Sequence, residues 1–419
     1  MLLQFRFKNF KSFKEETILD FTATKITEHS NRVVEIGNEK ILPVAAIFGA
    51  NASGKSNVLE AFRFMMTYVL NSFAYGGTSN EKNSNGNYFK HTPFLFDVES
   101  KEEESLFEVY FIDEDNGFKT YNYGFTLNKD GIYEEWLNYK SKTAKIFRNV
   151  FYRDKDELDL NGLPKRSQDN LKVALEKEVL IASLGAKLKV TKLKVVRDWF
   201  MTNSFANFGN PLENAVLSSI LPRNFVDSKQ VQKNVVDYFS TFDSSIIDFN
   251  VDVMRDDNGQ IKHVNINTVH RTKDGGTATI PLNDESAGTL KMFALYPSLH
   301  DVLDNGGTLF VDELNSKLHP LLVRNFVITF LNHQTNPKHA QLVFTTHDSW
   351  QLSNNLLRRD EIWFTAKDDD GVSNLYSLAD FVDDDGTKIR KDENYEKNYL
   401  LGKYGAIPNL QAMDLFKED

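Results

Sequence analysis

Cysteine is absent from all 419 residues, which excludes disulfides, thiolate zinc sites and a cysteine nucleophile at once. No uninterrupted apolar run reaches the roughly 18 residues of a membrane-crossing helix. The opening Met1-Leu2-Leu3-Gln4-Phe5-Arg6-Phe7-Lys8 is too regularly charged for a signal peptide. A cytoplasmic protein without membrane contact is the expectation. Excess positive charge is missing too. A formal net charge of −10 argues against coating nucleic acid non-specifically, because that binding needs many Lys and Arg on phosphates. A local contact stays open at Lys187, Lys189, Lys192, Lys194 and Arg197, interleaved with Leu184, Leu188, Thr191, Val195 and Trp199 at helical spacing. The favoured reading there is the solvated face of one amphipathic helix. Sustained heptads and internal repeats are absent as well.

What is present is an ordinary globular composition, 41% hydrophobic and 26% charged, at a length that suits two or three domains or lobes. Leu3, Phe5 and Phe7 alternate with Gln4, Arg6 and Lys8, the period-two pattern of a half-buried strand. A second strand is predicted from Thr17 to Phe21. Ile41 to Phe48 is nearly continuous apolar sequence, as in a central strand buried on both faces. Val58, Leu59, Phe62, Met65, Met66 and Val69 then recur at helical spacing. Residues 74–92, with Gly76-Gly77 and Gly86, predict an exposed mobile loop. From Leu106 to Arg153, short β-like stretches separated by Asp-Asn-Gly and Lys-Asp-Gly predict an antiparallel meander. Residues 165–243 turn helical and read as an inserted lobe. Strand patterns return after 245, and Gly288 to Ala366 alternates helix and strand.

Between the buried strand and the first helix stands Gly49-Ala50-Asn51-Ala52-Ser53-Gly54-Lys55-Ser56, which meets the phosphate-loop pattern at every fixed position. Glycines let backbone wrap phosphate oxygens and helix N-terminal amides face negative charge. Lys55 reaches the terminal phosphates and Ser56 offers a hydroxyl to Mg²⁺. Asn51, Ala52, Ser53 and Gly54 complete the cradle. A second apolar strand, Thr308-Leu309-Phe310-Val311, delivers Asp312 and Glu313 at its C-terminal end, where parallel sheets bind ligands. Asp312 would hold Mg²⁺ through its water shell, and Glu313 would orient the attacking water. A third strand ends in Phe344-Thr345-Thr346-His347-Asp348, with His347 where a γ-phosphate could be sensed. Asp368-Asp369-Asp370 and Asp383-Asp384-Asp385 could bind metal, but Gly follows each triplet and solvated turns are favoured.

The order of these features resembles the ABC-type ATPases of the SMC, RecF and OLD-like group. That likeness implies an α/β ABC-type P-loop ATPase head with an antiparallel β subdomain and an inserted mixed β/helical lobe. In Asn283-Asp284-Glu285-Ser286-Ala287-Gly288-Thr289, Ser286 and Gly288 match the signature residues that the group offers to the γ-phosphate of the opposing subunit. Glu313-Leu314-Asn315-Ser316-Lys317-Leu318-His319-Pro320 looks like the acidic strand running into the D-loop. Closer still, Lys8-Asn9-Phe10-Lys11-Ser12-Phe13, the Leu318-His319-Pro320 segment and Gly402-Lys403-Tyr404-Gly405-Ala406-Ile407-Pro408 resemble AAA-type ATPases of bacterial abortive-infection and restriction-linked phage-defence loci. The same likeness places Lys11 and Ser12 among the nucleotide-binding residues. Two departures stand out. The group's coupling glutamine is missing, since no Gln occurs between Gln4 and Gln168. The insert, about 165 residues long, has no coiled-coil heptads.

The resulting expectation divides the chain into residues 1–112 and 281–366 as the two halves of an ATPase head, 113–280 as an inserted meander and helical lobe, and 367–419 as a tail. A nuclease domain does not fit in the roughly 70 residues after His347. ATP and Mg²⁺ are the expected ligands. The expected partners are a second copy or larger assembly and a separate effector protein, with nucleic acid left open. The expected function is an ATP-hydrolysing dimeric switch in anti-phage defence. A RecF-like DNA-repair ATPase and an ATP-stabilised scaffold stand as alternatives.

Overall fold

The computed structural model describes residues 1–75, 91–383 and 386–408. Most of the loop expected at 74–92, together with Asp384 and Asp385, therefore lies outside the described residues. Two sheets organise the molecule. In the first, seven antiparallel strands run in the spatial order Leu158–Asp159, Arg148–Arg153, Gly131–Lys140, Lys119–Asn128, Ser105–Asp113, Leu2–Lys8 and Thr17–Asp20. The predicted meander is its larger part.

The second sheet has six strands, in the order Ser204–Asn207, Thr308–Asp312, Gln341–Thr345, Val44–Gly49, Ile362–Lys367 and Ser373–Ser377. All pair in parallel except the last, which adds antiparallel to Ile362–Lys367. Every residue of Val44–Gly49, Thr308–Asp312 and Gln341–Thr345 is buried, because helices or a second sheet cover both faces, as near-continuous apolar strands require. Side-chain alternation splits each strand between two cores. Ala45, Ile47, Phe310 and Val343 join the core shared with the antiparallel sheet. Val44, Ala46, Phe48, Leu309, Val311, Leu342 and Phe344 join a core built with the helices Lys229–Phe239, Ala287–Asn305 and Pro320–Leu331.

Helix Lys55–Asn71 lies between the two sheets. Phe62 on this helix stacks on Phe310 of the parallel sheet at 4.3 Å between ring centroids and meets Phe5 of the antiparallel sheet edge-on at 5.2 Å. One ring thus fastens the phosphate-loop helix to both layers.

Several expectations need correction. The run from Ile41 to Phe48 is two strands, Glu39–Ile41 in a small hairpin with Val34–Ile36, and Val44–Gly49 in the parallel sheet. Pro43 separates them, since it has no N–H to give a ladder. The basic stretch is two helices, Ile181–Lys187 and Thr191–Met201, broken at Lys189 with φ 59. The break rotates the buried face to Leu184, Leu193, Val196, Trp199 and Phe200 and leaves Leu188 exposed. The basic side chains are largely engaged: Lys192 donates to the Gly162 carbonyl, Lys194 pairs with Asp198, and Lys187 covers the Phe73 ring.

The segment 113–280 carries the rest of the antiparallel sheet, a helical stretch and a separate three-stranded antiparallel sheet of Ile246–Arg255, Ile261–Arg271 and Thr277–Pro281. Its strand Ser204–Asn207 completes the edge of the parallel sheet, and its helices pack into both cores. Residues after 367 also belong to the body. Tyr395 and Tyr404 are buried, and Tyr399 stacks on Phe364 at 5.6 Å. The Asp368–Gly371 turn closes on its own backbone, with Asp370 N and Val372 N donating to the Asp368 carboxylate. Among the described residues, no cluster of three or more His, Cys, Asp or Glu is placed to hold a metal. No helix among them is long and apolar enough to cross a membrane.

Candidate functional site

The parallel strands Thr308–Asp312, Gln341–Thr345 and Val44–Gly49 are immediate neighbours, so their C-terminal ends converge at one edge of the sheet. The phosphate loop rises from the third. Gly49 (φ 153), Ala52 (φ 61) and Gly54 (φ 110) occupy left-handed backbone there, curling successive amides into the kind of concavity that takes an anion. Glycine is required at 49 for a second reason: a Cβ would stand 2.5 Å from the Thr365 carbonyl oxygen. Ser53 shares a 2.6 Å hydrogen bond with the Thr365 hydroxyl and so anchors the loop to the next strand.

Lys55 is buried and folds back over the loop, donating to the Gly49 and Ala50 carbonyls at 2.9 and 2.8 Å. Burial pulls its pKa down to about 8, against the opposing charges of Asp312 and Glu313. Ser56 donates to Asp312 Oδ1 at 3.1 Å, and Thr345 donates to the same oxygen at 2.6 Å. Asp312 is therefore aimed at the first turn of the phosphate-loop helix. A serine hydroxyl and a carboxylate in this proximity form a hard oxygen donor set suited to Mg²⁺.

Glu313 sits at φ 55, a left-handed conformation that costs a non-glycine residue on the order of 1–2 kcal/mol. It is held there by its N–H donating to the Thr345 hydroxyl at 2.8 Å. Its carboxylate lies against Gly209, where a Cβ would come within 3.1 Å of the carboxyl carbon. His347 is exposed. Its amide donates to Asn315 Oδ1 at 3.2 Å, and partial burial, helped by the charge of Lys55, lowers its imidazole pKa below the usual value. That shift favours the neutral ring, which can hydrogen-bond.

The remaining predicted residues divide. Ser286 caps helix Ala287–Asn305 by accepting from Thr289 N at 3.1 Å and is otherwise exposed. Gly288 packs near the Lys317 carbonyl. Among the described residues, neither hydrogen-bonds to the phosphate loop, Asp312 or Glu313. Ser12 is buried and engaged, accepting from Asn57 at 2.7 Å and Ser373 at 2.8 Å. Lys11 pairs with Glu60 on the phosphate-loop helix. Both stand beside that helix rather than in the loop.

Two residues here escape sequence reasoning. Thr345 is the hydroxyl bridge between Asp312 and Glu313, and a threonine at a strand end carries no signal of that role. Asn207 pairs opposite Asp312 across the parallel ladder, and its side chain accepts from Asn210 N at 3.1 Å. Its place beside Asp312 comes from strand pairing, which spacing along the chain does not reveal.

A family model described as "AAA domain, putative AbiEii toxin, Type IV TA system" matches residues 44–349. The chain belongs to this AAA-domain family. The matched stretch begins at the phosphate-loop strand and ends just beyond His347, enclosing Lys55, Asp312 and Glu313. No curated protein matches the AAA-domain chain. Among solved structures it is similar to an SMC head bound to the C-terminal winged-helix domain of ScpA, at 16% identity over 90% of this chain and 97% of that one, with TM-score 0.43. It is also similar to the Pyrococcus furiosus Smc head with an extended coiled coil, bound to the C-terminal domain of ScpA, at 15% identity over 90% and 96% of the two chains, with TM-score 0.41.

Proposed function

We propose that this chain binds and hydrolyses ATP as one half of a two-chain site and works as a slow nucleotide-driven switch. The observation that carries the reading is the convergence of the Ser56 and Thr345 hydroxyls on one oxygen of Asp312 beside the phosphate loop that Lys55 folds over, with Glu313 held next to it in strained backbone. Ser56 and Asp312 would hold Mg²⁺, which would supply positive charge against the nucleotide phosphates. Lys55 would leave the Gly49 and Ala50 carbonyls for phosphate oxygens. Glu313 would orient the attacking water, and His347 would hydrogen-bond to the γ-phosphate. Asn207, opposite Asp312 in the ladder, takes the place of the missing coupling glutamine.

Ser286 and Gly288 are exposed or half-exposed and make no contact with their own phosphate loop. That supports a role on the nucleotide of a second copy, in an isologous dimer. The family's toxin and toxin–antitoxin description supports a place in bacterial abortive infection or phage defence, with a separate effector under the control of the ATP state. The test is hydrolysis and oligomeric state in purified protein. Lys55→Ala should lose nucleotide binding, and Glu313→Gln should trap ATP in a stable dimer. Undiminished hydrolysis by Glu313→Gln would remove Glu313 from its role, and monomers at every nucleotide state would remove the composite site.

A further inference from the structure

Lys291 is a buried cation on helix Ala287–Asn305, one and a half turns beyond Ser286. It is 4% exposed. Among the described residues, no carboxylate forms an ion pair with it. Its Nζ instead donates to three main-chain carbonyls, those of Glu313 at 2.9 Å, Leu314 at 2.8 Å and Ser316 at 2.9 Å. The remaining side of the ammonium faces the Phe208 ring, 4.1 Å from its centroid. An ammonium has three donors, and all three are used.

Desolvating a cation is costly, and an apolar side chain of similar length would stabilise a core more simply. The placement is therefore better explained by what it connects. The three carbonyls belong to the turn that carries Glu313 at φ 55 and continues to Lys317 at φ 60. Phe208 directly follows the strand paired with the acidic strand, and its N–H donates to the Asp312 carbonyl at 3.2 Å. A small cavity of about 80 Å³ bordered by Phe208, Leu290, Lys291 and Ser316 adjoins the ammonium, so the turn has room to shift against the helix. One amine thus touches the signature helix, the Glu313 turn and the loop after Asn207.

We propose that Lys291 is a positioning residue for hydrolysis: it ties the helix capped by Ser286 to the backbone that sets Glu313. Movement of that helix on meeting a second copy's nucleotide would shift the three carbonyls together and bring the carboxylate to the attacking water. This inference rests on the hydrolytic reading above and adds a residue that neither the phosphate loop nor the acidic strand contains.

The experiment is steady-state hydrolysis and ATP binding by full-length Lys291→Met, which keeps the stem and removes the charge. Hydrolysis by wild type and its loss in Lys55→Ala are measured first. Absent wild-type turnover overturns the hydrolytic reading and this inference with it. With wild-type turnover present, folded Lys291→Met is expected to lose about 10-fold or more in kcat, the scale on which misplaced catalytic groups act. KM and Kd for ATP should stay within about 2-fold, because the phosphate loop is untouched. In the Glu313→Gln background the substitution should have no further effect on the residual rate. A wild-type kcat, or an equal fall in affinity and rate, overturns the assignment. Should Lys291→Met fail to fold, Phe208→Leu leaves the three carbonyl bonds intact and removes only the ring face. A fall in kcat of about 3-fold at constant KM is then expected, and an unchanged kcat overturns the proposal.

Discussion

Replacing Thr345 by valine removes one hydroxyl from a completely buried position while keeping the side chain's shape. That hydroxyl makes two bonds, a charge-assisted one to Asp312 Oδ1 at 2.6 Å and one accepted from Glu313 N at 2.8 Å. Loss of a hydrogen bond to a charged group costs about 1.5–3 kcal/mol, and an orphaned buried amide adds about 1–3 kcal/mol. Two effects offset this. Asp312 keeps its bond to Ser56, and Glu313, released from φ 55, regains about 1–2 kcal/mol of backbone strain. A net destabilisation of about 0.5–5 kcal/mol follows from these terms, visible in urea titration as a lower midpoint at unchanged slope. The catalytic effect should be larger than the stability effect suggests. Once Glu313 relaxes, its carboxylate moves by roughly an ångström, a displacement worth about 10²-fold in rate, or about 2.7 kcal/mol of barrier. ATP affinity, which depends on Lys55 and the loop amides, should change little. Single-turnover hydrolysis alongside nucleotide titration separates the two, and Thr345→Ser should restore most of the rate by returning the hydroxyl. A valine variant that hydrolyses ATP at the wild-type rate would refute the claim that this hydroxyl holds Glu313 in place.

The strain at Glu313 gives a paired comparison. Glu313→Asn, whose side chain tolerates left-handed backbone, should unfold at a higher urea concentration than Glu313→Gln by about 0.5–1 kcal/mol, although both lose hydrolysis. The reverse order would remove backbone strain as a feature of this site. Phe62→Ala should cost about 3–5 kcal/mol, because the ring is fully buried between Phe310 and Phe5; calorimetry showing a loss below about 1 kcal/mol would contradict its place between the sheets. Glu361 is fully buried, and burial pushes its pKa up from the ordinary 4.5 to about 8, with Asp360 adding to the rise and the Arg358 amide opposing it. The folded chain then keeps a proton that the unfolded chain has released, so stability should fall as pH rises from about 4.5 to about 8 and level off above. Glu361→Gln should flatten that slope in pH-resolved denaturation, and an unchanged slope would place the charge elsewhere.

Local chemistry alone makes the phosphate loop legible. Three left-handed backbone positions within six residues, Gly49, Ala52 and Gly54, are a requirement that a glycine-rich octapeptide states openly. The acidic pair at the end of Thr308–Asp312, the strand Gln341–Thr345 beside it and the alternation of Leu2–Lys8 are readable for the same reason, since each is written in adjacent residues. Interruptions are harder. Pro43 divides an apolar run that reads as continuous, and Lys189 at φ 59 turns one amphipathic helix into two with a different buried face. Apolar spacing alone does not reveal a backbone break.

Tertiary structure decided the rest. Ser204–Asn207 lies in a stretch of helical pattern, and only its parallel pairing with Thr308–Asp312 makes it part of the site and sets Asn207 opposite Asp312. Thr345 gains its role from standing between the acidic strand and the phosphate-loop strand, and Lys291 from packing three carbonyls of a turn more than twenty residues away around its amine. The sequence by itself determined which groups could touch a nucleotide, because a phosphate cradle is built from consecutive backbone. Which groups hold Glu313 in place was left to strand order and register, because those contacts join segments that the chain keeps far apart.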